Sequence, residues 1–232
     1  MGQPSFDFKR FSVRHDACAM KVGTDAVLLG AWVDVSDAER FLDVGTGTGL
    51  LALMVAQRTA NASIDALEID TAGAAQALRN VADSPWPDRI RVVQADARSW
   101  FEGFYDHIIS NPPYFRQALK APEKKRNQAR HDETLRWEDL AALAERLLSP
   151  DGRLSLILPM EADGLMEALC WPHHLYLTRR WTVSSLPDRQ PHRLLLTFQR
   201  QQHPIEHGHL CLQSAQGKRS PEFSALTTDF YR

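Results

Sequence analysis

The 232-residue sequence predicts an α/β fold: a mostly parallel sheet with helices on both faces. Three observations predict it. Short apolar runs alternate with helical patterns of roughly 10–15 residues, which is how βαβ units read. A glycine-rich turn, "LDVGTGTGL", joins one of these runs to the helix after it. Carboxylates, or an asparagine followed by prolines, close the successive runs at the strand ends where open parallel sheets place their ligands.

The elements follow in order. Val27, Leu28 and Ala31 recur at helical spacing behind a capping Thr24, which gives a helix over 24–32. "RFLDVG" (40–45) is a short buried strand and "TGLLALMVAQRT" (48–59) a helix; "SIDALEI" (63–69) and "TAGAAQALRNVA" (71–82) repeat the pair. "IRVVQA" (90–95), "YDHIIS" (105–110) and "GRLSLILP" (152–159) supply three more strands, the last preceded by a helix over 135–148. Two late strands, 175–185 and 192–200, flank the polar, proline-bearing "LPDRQP". No repeat, low-complexity run or linker divides the chain, so a single domain over 1–232 is expected, with segment 1–39 contributing to the site. Residues 201–216 show no usable period and receive no assignment.

Composition narrows the class. Hydrophobic residues at 44% and charged residues at 24% are ordinary for a globular protein and exclude a disordered or fibrous chain. No apolar run approaches the roughly 18 residues that span a bilayer, and the first residues are polar, so a cytoplasmic location is expected. Cys18, Cys170 and Cys211 are widely spaced and form no CxxC, which fits a reducing compartment. His203, His207 and His209 have only Glu206 at hand and read as a surface loop, so no metal is expected. Trp86, between two prolines, reads as a packing plug. The net charge of −2 offers no general attraction to a polyanion, but from Arg116 to Arg136 seven basic residues face three acidic ones.

The strand ends carry the chemistry. Asp43 precedes Gly45, Gly47 and Gly49, and the pattern is GxGxG, with Leu50 where a dinucleotide fingerprint has its third glycine. Glycines suit positive φ or a ligand lying against bare backbone. Glu68, ending the next strand, stands where a carboxylate meets ribose hydroxyls, and Asp96, after the third, could accept from the exocyclic amine of an adenine. Each alone is also compatible with tight packing or a solvated acid. Their recurrence after three successive strands outlines an adenosine.

"SNPPY" (110–114) closes the fourth strand. Residues before proline are held extended, and proline removes donors. What remains is the Asn111 side-chain carbonyl, main-chain carbonyls including that of Pro112, the rigid Pro113 and the Tyr114 ring, a receptor for a planar group bearing NH2. The lone pair of such a nitrogen is delocalised. Two acceptors on its hydrogens help it pyramidalise, and they gain strength as positive charge develops there.

These residues resemble the class I S-adenosylmethionine-dependent methyltransferases, and the tetrapeptide resembles their NPPY amino-methyltransferase branch. The resemblance implies a Rossmann-like, seven-stranded sheet with the last strand antiparallel, S-adenosyl-L-methionine as cofactor, Asp43 and the glycines as first motif, Glu68 as ribose acid and Asp96 as adenine-side acid. NPPY occurs in enzymes acting on adenine N6, guanine N2 and protein glutamine, so the tetrapeptide leaves all three open. The short stretch before Arg40 argues against the glutamine and guanine enzymes, which carry N-terminal domains. "FSVRHDACAMKVGTDAVLLGAW", "NVADSPWPDRI", "SNPPYF" and "SPEFSALTTDFY" are similar to the bacterial tRNA adenine-N6-methyltransferases that modify the adenine 3′ of the anticodon. That implies tRNA as partner, and "MKVGTDA" against the methionine end of the cofactor through Lys21, Thr24 and Asp25. Arg116, Lys120, Lys124, Lys125, Arg126 and Arg130, leaving directly from the tetrapeptide, become candidates for holding RNA phosphates. For a second set, Arg179, Arg180, Arg189, Arg193 and Arg200, RNA binding and an ordinary solvated surface are equally open. A silent RNA-binding module with the same fold is the remaining alternative; the intact Asp43, Glu68 and Asn111 argue against it.

Overall fold

The computed structural model describes residues 5–16, 22–113 and 135–231. A hairpin of two three-residue strands, β1 (Ser5–Asp7) and β2 (Ser12–Arg14), comes first; strands this short show no alternation in sequence. Next come α1 (Thr24–Trp32), β3 (Arg40–Val44), α2 (Leu50–Arg58), β4 (Ser63–Glu68), α3 (Thr71–Ala82), β5 (Ile90–Gln94) and β6 (Tyr105–Ser110). The second half holds α4 (Trp137–Leu147), β7 (Leu148–Pro159), α5 (Leu165–Cys170), β8 (Tyr176–Ser184), β9 (Arg193–Gln199), β10 (Glu206–Cys211) and α6 (Pro221–Leu226).

The large sheet runs β10-β8-β9-β7-β6-β3-β4-β5. β9 is antiparallel to both β7 and β8, while all other pairs in this sheet are parallel. The chain therefore builds outward from β3 through β4 to β5, then returns to place β6 on β3's other side. The crevice at the carboxyl ends of β3 and β6 is the switch point where such sheets bind ligands.

The sheet has eight strands, one more than the resemblance implied. The extra strand, β10, comes from the stretch that received no assignment. Three of its six residues are exposed and only Leu210 is buried, so it lacks the apolar signature of the central strands. Gly208 allows the pairing: the Trp181 ring lies over it so closely that a Cβ there would sit 2.2 Å from the indole. β7 starts at Leu148, earlier than the apolar run suggests, because Leu148 pairs with Tyr105 across a register shift in β6. Gly152 is needed at that irregularity, where a Cβ would come 2.9 Å from the Tyr105 carbonyl.

The core lies in two layers. Along β6 and β7, Ile109 and Ile157 enter the layer shared with α1 and α2, whereas Ile108, Leu156 and Leu158 enter the one shared with α4 and α5. Both faces of these strands are covered, which is why they read as continuous apolar runs. Trp86 packs edge-on to Phe11 at 5.9 Å, as a plug should. Among the described residues no helix is long and apolar enough to cross a membrane.

Candidate active site

β3 ends at Val44, and the chain turns through Gly45, Gly47 and Gly49 at φ of 73°, 57° and 83°, the left-handed region. Gly45 and Thr46 both donate to the Leu67 carbonyl at 2.9 Å, and Gly47 N–H donates to Glu68 Oε2 at 2.8 Å. A Cβ on Gly45 or Gly47 would meet nothing within 4 Å. The outer side of the turn is therefore open backbone, which is what a ligand laid against it requires. Gly49 has a different role, packing toward Ala77 and starting α2.

Glu68 holds this turn from the end of β4, and its other oxygen accepts from Asp70 N–H at 3.0 Å. Asp70 itself caps α3 through Gly73 N–H. Asp43 lies beneath the turn with no exposed surface. Its Oδ2 accepts from the Thr46 hydroxyl at 2.5 Å and from Ala52 N–H at 3.2 Å, while Oδ1 has no hydrogen-bond partner among the described residues. Burial pushes the Asp43 carboxyl up to about 7, with the nearby Glu68 charge adding to the effect and the two hydrogen bonds opposing it. A buried carboxylate with an orphaned oxygen under an open glycine turn fits a cationic ligand above it.

A cleft of about 450 Å³ opens in front of the turn. Its lining joins Val22 to Ala26 at the start of α1, Gly45 to Thr48 in the turn, Leu50 and Leu51 of α2, Asn111 to Pro113 beyond β6, His192 just before β9 and Leu212 just after β10. Ser110 sets the height of the asparagine: its hydroxyl donates to the Val44 carbonyl at 2.7 Å, tying the end of β6 to the end of β3. Asp25 accepts from Arg193 Nε at 2.8 Å, which joins the start of α1 to β9.

Thr24, Asp25, Gly45, Gly47, Asn111, Pro112 and Pro113 thus meet in one place. Asp43, Gly49, Glu68 and Asp96 are not part of that lining, although Asp43 and Glu68 support the turn from below. Asp96 is engaged locally: it accepts from Arg98 N–H at 2.9 Å and pairs with the Arg98 guanidinium at 2.6 Å, and this contact lowers its pKa. Lys21, Tyr114, Arg116, Lys120, Lys124, Lys125, Arg126 and Arg130 lie outside the described residues.

Of the second arginine set, four are committed within the protein. Arg179 pairs with Glu206 and stacks on Trp32, Arg180 pairs with Asp163, Arg193 with Asp25, and Arg200 donates to the Glu145 and Leu148 carbonyls. His209 is likewise in use, between Thr182 and Ser184. Sequence reasoning missed Thr46, Thr48, His192 and Leu212 in the lining. The threonines stand inside the glycine motif and were open to view. His192 and Leu212 carry no local signal, being delivered by the late strands.

The model of the methyltransferase small domain family matches residues 18–164, which include the glycine turn, both strand-end acids and the asparagine. The chain belongs to this family. Members of the family transfer methyl groups, and the fold and open turn are those of S-adenosylmethionine-dependent enzymes. Among similar full-length proteins, the tRNA1(Val) (adenine(37)-N6)-methyltransferase of Tolumonas auensis is 46% identical, over 100% of this chain and 98% of its own. Those of Bacteroides fragilis and Serratia proteamaculans are each 45% identical, covering 100% and 97% of this chain and 99% and 89% of theirs. Solved structures agree on the fold. A predicted O-methyltransferase from Agrobacterium tumefaciens superposes with a TM-score of 0.68 at 22% identity, covering 89% of this chain and 96% of that one. The ribosomal protein L11 methylase of Lactobacillus delbrueckii subsp. bulgaricus does so at 0.58 and 16%, covering 82% and 84%. The matched span of this methyltransferase small domain protein stops before α5, so His192 and Leu212 reach the cleft from outside it.

Proposed function

We propose that the protein methylates the exocyclic N6 of an adenine in tRNA, at position 37 of tRNA1(Val), immediately 3′ of the anticodon. The observation that carries this reading is full-length identity near 45% to enzymes of that name, with the glycine turn and Asn111-Pro112-Pro113 lining one cleft. S-adenosylmethionine, when bound, supplies the electrophilic methyl group on a sulfonium. Gly45 and Gly47 offer it open backbone, Asp43 a negative charge beneath, Glu68 an acceptor for the ribose, and Lys21, Thr24 and Asp25 surround its methionine end. Asp96 is the adenine-side acid in this reading, its carboxylate oriented by Arg98.

The work on the substrate falls to Asn111 through Tyr114. The Asn111 side-chain oxygen and the Pro112 carbonyl accept the two hydrogens of the target amine, draw nitrogen toward a pyramidal shape and stabilise the positive charge it gains. Pro112 and Pro113 keep those acceptors from relaxing, and Tyr114 covers the base. Alignment of the reacting atoms can supply about 7–11 kcal/mol in well-oriented cases. The surplus proton departs to solvent, so no strong base is required.

Arg116, Lys120, Lys124, Lys125, Arg126 and Arg130 hold the phosphates around the extruded adenine. The chain works as one unit in the cytoplasm, with tRNA as its partner and segment 1–39 contributing to the cofactor and substrate site. Transfer of labelled methyl to unmodified tRNA, with a release-factor protein assayed in parallel and the nucleosides analysed by mass, tests the reading. N6-methyladenosine supports it; label in protein or in N2-methylguanosine overturns the substrate while leaving the cofactor chemistry in place.

A further inference from the structure

We propose that His192 is a second substrate-contacting residue, donating its ring N–H to one of the two ring nitrogens that flank the amine of the target adenine. The proposal rests on the adenine reading above and adds to it the group that selects that base. His192 lines the same cleft as Asn111, Pro112 and Pro113 but comes from the turn just before β9. Its backbone is pinned on both sides: its N–H donates to the Val183 carbonyl at 2.8 Å, and its carbonyl accepts from Arg193 Nη1 at 2.9 Å. Arg193 is held in turn by Asp25, a residue of the same cleft. These bonds hold the backbone that presents His192 to the cleft, and its ring makes no hydrogen bond among the described residues.

The protonation state suits the task. Burial, with the Arg193 charge beside it, lowers the His192 pKa below the ordinary imidazole value, and Asp25 opposes this only in part. A neutral imidazole offers one donor and one acceptor. The amine of adenine spends both its hydrogens on Asn111 and Pro112, and the ring nitrogens beside it, N1 and N7, can only accept. The base thus needs a donor from a different wall. Among the described residues of the lining, the Thr46 hydroxyl is already given to Asp43, Thr24 and Thr48 belong to α1 and the glycine turn, and His192 is the side-chain donor that comes from the second half of the chain. A glutamine amide has no ring nitrogen to accept this bond, and a donor aimed at N1 would also reject guanine, which carries an N–H there and a carbonyl in place of the amine; a donor aimed at N7 would not, because guanine keeps that acceptor.

Substrate tRNA carrying adenine, 1-deazaadenine or 7-deazaadenine at the target position separates a base contact from a structural role. Wild-type enzyme should lose about tenfold or more in kcat/KM on one of the two deaza substrates, the loss of a single desolvated hydrogen bond. His192→Phe should lose that much on adenine and nothing further on that same deaza substrate, and His192→Asn should keep part of the preference. Calorimetric affinity for S-adenosylmethionine within threefold of wild type in both variants shows the cleft still formed. Equal losses by His192→Phe on all three substrates, or no loss on adenine, would overturn the proposal. Wild-type enzyme that forms no N6-methyladenosine on any RNA overturns the adenine reading itself and the proposal with it, a result read before any variant is made.

Discussion

Replacing Asp43 with asparagine should stabilise the cofactor-free protein at neutral pH and weaken cofactor binding at the same time. The Asp43 carboxyl is buried, one of its oxygens has no partner among the described residues, and its pKa rises from 3.8 to about 7, mainly through burial. Between those values the folded state holds a proton that the unfolded state has released, so stability falls as pH rises. The contribution of this carboxyl is fully present below about 3.8 and lost as pH passes about 7. At ~1.36 kcal/mol per unit of pKa, the gap amounts to roughly 4 kcal/mol at pH 8. Asparagine removes the charge but leaves a buried amide N–H2 where the orphaned oxygen stood, at a cost of about 1–3 kcal/mol. The net gain at pH 8 is about 1–3 kcal/mol, with Tm moving about 2–4 °C per kcal/mol in a domain of this size. His107 titrates in the opposite sense: burial lowers it to about 3, so its contribution is present above about 6.5 and lost as pH falls toward 3. The difference between variant and wild type cancels that background. Thermal unfolding of both proteins from pH 4 to pH 8, with calorimetric titration of S-adenosylmethionine, is the assay. Asp43→Asn should be the less stable at pH 4 and the more stable at pH 8, with cofactor affinity down at least tenfold. A stability difference that does not change with pH, or a variant still less stable at pH 8, would refute the reasoning.

Asn111→Ala should lower turnover by about 10²–10³-fold, while gel-shift affinity for tRNA stays within a few-fold of wild type; a silent RNA-binding module would show no change in its activity. Gly208→Ala should cost about 1–3 kcal/mol, read as a lower urea midpoint, because the new methyl would stand 2.2 Å from the Trp181 ring; an unchanged midpoint would mean that β10 does not hold this register. The triple variant Lys124→Ala, Lys125→Ala, Arg126→Ala should weaken tRNA binding and flatten its salt dependence by about 2 in slope, measured as binding constants across a salt series; an unchanged slope would remove these residues from the phosphate contact.

The central strands and much of the cleft lining of this protein were legible in its sequence. Strands covered on both faces are largely apolar, so β3, β6 and the second half of β7 stand out as runs, and Gly45, Gly47, Asn111, Pro112 and Pro113 are restricted by their own backbone whatever surrounds them. Glu68 was legible because a parallel sheet brings its strand end to the glycine turn, where it meets Gly47. Strands of another kind left no trace: β1 and β2 are too short to alternate, and β10 buries only one of its six residues. Asp96 shows a limit of a different sort, since an acid at the expected strand end has its carboxylate held by Arg98 only two residues on. By itself, then, the sequence determined the α/β architecture, the glycine turn with its strand-end acids and the extended Asn111-Pro112-Pro113 stretch, all properties of segments a few residues long. Only the tertiary structure decided that Asp43 would be buried, that Arg193 would spend its charge on Asp25, and that His192 and Leu212 would complete the cleft. Those outcomes depend on the order in which the strands lie across the sheet, and that order brings together side chains 168 residues apart that no local pattern connects.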